Sequence, residues 1–121
     1  LAFAQTDKII AEYNVDRYLD GTLDNVDTIM LKDLGDASIP SMVKLLEYWS
    51  EEYDYDYEIF FNGQLSTYLQ GNFPQSPEFW DYNILCKNLK TMARNRDNNV
   101  WSYTLLRKNA NDSLKKIGLY E

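Results

Sequence analysis

Apolar residues return at intervals of three and four in several separate stretches of this sequence, a spacing that amphipathic helices satisfy and strands do not. The clearest stretch is Ser38 to Trp49, where Ile39, Met42, Val43, Leu46 and Trp49 fall on one helical face. Asp36 or Ser38 can cap its start, and Pro40 suits a first turn, where backbone N–H groups have no helical partner. A second start signal is Ser76-Pro77-Glu78, which combines a capping serine, a proline for the first helical position and an acid for the positive helix end. From there Phe79, Tyr82, Cys86, Leu89 and Ala93 share a face. A third stretch, from about Val100, aligns Tyr103, Leu106, Ala110, Leu114 and Ile117, and Gly118 closes it.

The other segments follow the same grammar. A first helix is expected from Thr6 or Asp7 to Leu19, with Ile9, Tyr13, Val15, Tyr18 and Leu19 as its stripe and Gly21 as its stop. Val26, Ile29, Met30 and Leu34 fit a short helix that ends at Gly35, and Asn95 to Asn99 read as a polar loop. Two readings compete around Asn62-Gly63. The pair lies between Glu58-Ile59-Phe60-Phe61 and Gln64 to Leu69, which is a hairpin signal, yet Leu65, Tyr68 and Leu69 also suit a helix. A lone hairpin needs another element over one face. The preferred reading is therefore a helix over Gln64 to Gln70, with a short hairpin near residues 57–69 as the alternative. The expected fold class is all-α: a compact bundle of five or six helices around a single core, forming one domain over residues 1–121.

A chain of 121 residues buries about two-thirds of its extended surface on folding, enough for a core without covalent staples. Staples are in any case excluded, because Cys86 is the sole cysteine. The absence of histidine removes Ser-His-Asp and Cys-His catalysis and every histidine-containing metal centre. Nineteen acids against twelve bases give a net charge of −7, which argues against nucleic acid as a partner. The charge is divided: residues 1–86 hold sixteen acids and four bases (−12), and residues 87–121 hold three acids and eight bases (+5). The preferred reading packs the basic helices beside the acidic remainder.

Few constellations could carry chemistry. The run Glu51-Glu52-Tyr53-Asp54-Tyr55-Asp56-Tyr57-Glu58 alternates acids, but it has no glycine and no terminal acid in the register of a calcium loop. It reads as an acidic loop with partly packed tyrosines, and Tyr53, Asp54, Tyr55, Asp56 and Tyr57 form a candidate interaction surface. Ten tyrosines and three tryptophans suit recognition of a glycan or peptide, although Trp49, Tyr82 and Tyr103 fall on apolar stripes and are expected in the core. A carboxylate pair acting on a glycoside is the enzymatic alternative. Lys87, Lys90 and Arg94 follow one helical face and read as solvated; Cys86, on an apolar stripe, reads as an inert core residue. Asn14 and Arg17, nearly one turn apart among apolar neighbours, are the candidate structural polar pair. Both are expected to bond backbone or an acid within Leu23 to Gly35. No catalytic residue, metal ligand or cofactor is assigned.

Asp7 to Tyr18 contain Ala11-Glu12-Tyr13-Asn14-Val15-Asp16-Arg17-Tyr18; Leu23-Asp24 follow, then Asp36-Ala37 with Ile39-Pro40 and Val43-Lys44-Leu45-Leu46. This order resembles the soluble C-terminal portion of a bacterial polytopic membrane protein family of unknown function. In that family an A-x-Y-N-h-x-R-Y helix follows the final span and precedes a helix with an Asp-Ala pair and a proline. Trp101 and Ala110 resemble positions on its terminal helix, so the match covers residues 7–46 and, loosely, 100–116. The resemblance implies a membrane-protein domain with Leu1 just past a cut span, and a protein partner or the protein's own membrane domain as its contact. The acidic charge suggests the extracytoplasmic side, since cytoplasmic segments beside spans favour Lys and Arg. The expected function is thus a non-catalytic interaction or regulatory domain, with a glycan-binding or hydrolase module of the cell envelope as the alternative.

Overall fold

A computed structural model describes residues 2–62, 77–94 and 105–119. Among them no strand occurs, and the chain runs α1 (Ala2–Leu19), α2 (Thr28–Asp33), a 3-10 turn (Gly35–Ser38), α3 (Ile39–Glu52), α4 (Tyr57–Phe61), α5 (Pro77–Arg94) and α6 (Leu105–Lys116). The all-α bundle expected from the spacing is the fold. The first arm of the hairpin alternative is helical instead: Tyr57–Phe61 form α4. The cause is local, since the Asp56 carboxylate accepts the Glu58 N–H at 3.0 Å and caps the turn. Gly63, the helix expected over Gln64 to Gln70, the loop Asn95 to Asn99, and Trp101 and Tyr103 lie outside the described residues.

The core forms around α3, which packs against α1, α2, the 3-10 turn, α5 and α6, while α4 rests on α5. Ile39, Met42, Val43, Leu46 and Trp49 are all buried as their spacing predicts, and Leu45 joins them because helices approach α3 from several sides. From α5 come Phe79, Tyr82, Leu85, Cys86 and Leu89, and from α6 come Ala110, Leu114 and Ile117. Each fully buried Leu contributes about 1.5–3 kcal/mol relative to exposure, so these shared faces hold the bundle.

Two expectations fail in α1. The helix begins at Ala2, so Thr6 and Asp7 lie inside it and do not cap it. Its expected stripe holds only in part: Val15 is buried and Tyr18 and Leu19 pack on the core, but Ile9 and Tyr13 turn outward and Ala11 turns in. Ile9 and Tyr13 are 63% and 56% exposed, whereas Ala11 and Val15 are fully buried. The small Ala11 side chain permits close approach to the neighbouring 3-10 turn and α3. In α2 the capping residue is Asp27, whose carboxylate accepts from the N–H groups of Ile29 and Met30 at 3.0 Å each. Leu31 carries its burial, and Ile29 faces outward.

Helix ends reverse by one device used three times. After α1, Gly21 N–H donates to Tyr18 O and Thr22 N–H to Arg17 O; after α6, Gly118 N–H donates to Lys115 O and Leu119 N–H to Leu114 O. Both glycines have positive φ, the left-handed geometry of a Schellman cap. After α3 the same position is held by Asp54 (φ 56°), and Tyr55 N–H donates to Ser50 O at 3.1 Å. Ser38 occupies the N-cap of α3, but its side chain does not cap. The hydroxyl turns back to Leu31 O at 2.5 Å and Gly35 O at 2.8 Å, tying the end of α2 to the start of α3.

Candidate functional site

Asn14 and Arg17 do not bond the segment from Leu23 to Gly35. Asn14 Nδ2 donates to Ile10 O at 2.8 Å, within its own helix. Arg17 donates to the Tyr13 hydroxyl, and its guanidinium lies 5.0 Å from the centre of that ring. Both side chains are only half-buried, so a partner one helical turn away is reached more readily than one across the fold. What docks the next segment is the Arg17 backbone carbonyl, which accepts from Thr22 N–H at 2.9 Å and Leu23 N–H at 3.1 Å.

The acidic tyrosine run divides by role. Tyr55 points inward, with ring centroids 5.0 Å from Tyr82, 5.9 Å from Phe79 and 6.0 Å from Phe60. Phe60 in turn meets Tyr82 at 4.7 Å with the rings 78° apart, an edge-to-face pair. Tyr55 therefore acts as a plug between α4 and α5. Tyr53 stacks on the outer side of Tyr55 at 5.7 Å and remains exposed. Asp54 holds the left-handed residue after α3 and Asp56 caps α4, so both follow from backbone geometry. Tyr57 packs on Phe61 at 5.5 Å and lines an open cleft. Among the described residues no group of three or more acids or cysteines could hold a metal ion.

That cleft, about 380 Å³, and an adjoining one of about 460 Å³ run beside α3 and α6. Glu47, Glu51 and Lys116 line both; Leu19, Val43 and Tyr48 form the apolar side of the larger. Lys116 meets Glu47 at 3.1 Å, and nearby Lys44 meets Asp16 at 2.8 Å. The charges of the cleft thus largely neutralise one another in solvent, where such pairs are worth at most about 1 kcal/mol. Both clefts are open to solvent, so neither encloses its carboxylates as general acid–base work needs. Sequence reasoning missed this meeting of α3, α4 and α6. A signal was present, because Glu47 and Glu51 are spaced by four on the polar flank of α3.

The three basic residues of α5 separate in the same way. Lys90 is half-buried and donates to Phe61 O, tying α5 to the end of α4, while Lys87 and Arg94 are exposed. Burial pushes the Cys86 thiol far above its ordinary range, an effect only partly opposed by a hydrogen bond with Tyr82. It is a packing residue, not a nucleophile. The Asp20 carboxyl is held below its ordinary value by hydrogen bonds, first from the Thr22 side chain and then from its backbone N–H. Among the described residues no helix is long and apolar enough to cross a membrane. Comparison with known protein families, curated protein sequences and solved structures yields no match to this chain.

Proposed function

We propose that this chain is a non-catalytic interaction domain of a bacterial integral membrane protein, held on the extracytoplasmic face. The observation that carries the interaction reading is the outward placement of large apolar side chains on two helices. Ile9 and Tyr13 face solvent on α1, and Trp80 and Ile84 face solvent on α5, although each helix already has a buried face. Exposed apolar positions one turn apart on a helix mark a surface that another molecule covers. The membrane attachment rests on the resemblance of residues 7–46 to a domain that follows a final span, and the side rests on the acidic charge. Expressing the natural gene with a C-terminal tag tests the attachment. The tag is expected in a membrane pellet that resists high salt, and protease added to spheroplasts should remove it. Recovery in the soluble fraction overturns the attachment, and protection from external protease overturns the side.

A further inference from the structure

The outward ridge of α5 reads Trp80, Ile84, Lys87, Thr91 and Arg94, every one of them exposed. The steps are four, three, four and three, so these residues form one line along the helix. Its first half is apolar and its second half is basic. Neither Lys87 nor Arg94 has an ion-pair partner among the described residues. The outward ridge of α1 has the same steps and the opposite sign: Ile9, Tyr13 and Asp16, continued just past the helix end by Asp20, whose carboxylate also accepts from Thr22 N–H, all exposed and separated by four, three and four. Laid parallel, the first three positions of the two ridges match and Asp20 falls level with Thr91. Ile9 meets Trp80, Tyr13 meets Ile84 and Asp16 meets Lys87, while Arg94, roughly 4.5 Å beyond the level of Asp20 along the axis, reaches back to it.

We propose that the α5 ridge docks on the α1 ridge of a second copy of this chain. The inference rests on the reading of the domain as an interaction module and names its partner. Two features favour a second copy: the shared spacing and the complementary charge order. Asp16 already accepts Lys44 through Oδ1, and its other oxygen is left for Lys87. The contact is heterologous, because two different surfaces meet, so copies add head to tail into a chain or ring and do not close as a two-fold dimer. One helix ridge on another buries less than the roughly 1,200 Å² of a stable interface, so the association is weak and depends on concentration.

Sedimentation of the purified chain at about 0.15 M salt, where its net charge of −7 is screened, tests this. The mean mass should rise above the 14.2 kDa monomer as concentration reaches several hundred micromolar. One variant blocks α1 (Ile9→Lys with Asp16→Lys) and another blocks α5 (Trp80→Glu with Lys87→Glu). All four sites are exposed, and circular dichroism checks that both variants fold. Each variant alone should remain monomeric, whereas their mixture should form a 1:1 dimer that grows no further, since each supplies the ridge the other retains. A parent that stays monomeric overturns the proposal, as does self-association of the α1-blocked variant alone. A monomeric parent that floats with anionic vesicles through Trp80 also overturns it and gives the ridge to lipid. A monomeric parent whose α1 or α5 ridge cross-links to a different protein in cells overturns the second copy as partner and leaves the interaction reading standing.

Discussion

The hydrogen bond between Ser50 and Tyr82 ties α3 to α5 inside the aromatic cluster, and its contribution can be isolated. The two hydroxyls lie 2.6 Å apart, and Ser50 Oγ also bonds Leu46 O at 2.7 Å. The consistent arrangement has Tyr82 donating to Ser50 and Ser50 donating to Leu46. Tyr82→Phe keeps the fully buried ring and leaves Ser50 its carbonyl partner, so it removes the bond to Ser50 and the weaker one to Cys86, about 1–2 kcal/mol together. Ser50→Ala deletes the acceptor and leaves the Tyr82 hydroxyl to its contact with Cys86, at a cost of about 1–2 kcal/mol. The double variant should lose less than the sum, with a coupling near 1 kcal/mol, because either single change already removes the shared bond. Urea unfolding followed by far-ultraviolet circular dichroism measures all four proteins. Strict additivity, within about 0.3 kcal/mol, would refute the claim that this bond joins the helices.

Asp54 adopts a conformation that favours glycine, so Asp54→Gly should leave stability unchanged or raise it by up to about 1 kcal/mol, while Asp54→Val should lower it by about 1–2 kcal/mol. Thermal melts of the two variants decide this, and equal loss in both contradicts the backbone account. Cys86, buried and with its thiol pushed far up, should resist a thiol-specific disulfide reagent at pH 8 in the folded chain and react promptly in urea. Prompt reaction in the native protein would mean the α5 face opens locally. Asp20 has a lowered folded value, so its stabilisation is fully present above the unfolded carboxyl range near pH 4 and disappears as pH falls through the folded value. Asp20→Asn should remove that part of the acid dependence and leave the neutral-pH melt with little further sensitivity between pH 5 and 7.

The faces of α3, α5 and the described part of α6 were legible because each carries one dominant apolar stripe opposite polar residues. In α1 the same test misleads. Ile9 and Tyr13 compete with Ala11 for the core beside Val15, and periodicity favours the larger residues. Packing favours the smaller, since Ala11 lets the helix sit closer. Asn14 and Arg17 were recognisable as polar residues needing partners, but their partners were not, because a carbonyl or ring one turn away competes with anything across the fold. Asp54 and Asp56 read in the sequence as members of an acidic interaction surface, while their backbone roles in the fold show only in dihedral angles and a capping bond. The cleft beside α3 and α6 depends on residues from distant segments, whose meeting no local spacing encodes.

The placement of α3 at the centre has a consequence for how the domain emerges from the ribosome. Its core face is completed from both directions along the chain, by α1 and α2 made before it and by α5 and α6 made after it. Ala110, Leu114 and Ile117 seal the last side, so a nascent chain that stops before α6 leaves part of α3 open to water or to a chaperone. Amide protons in the middle of α3 should therefore gain their full exchange protection in a single late step, once α6 has left the exit tunnel, and in the finished protein they should exchange only when the whole domain unfolds.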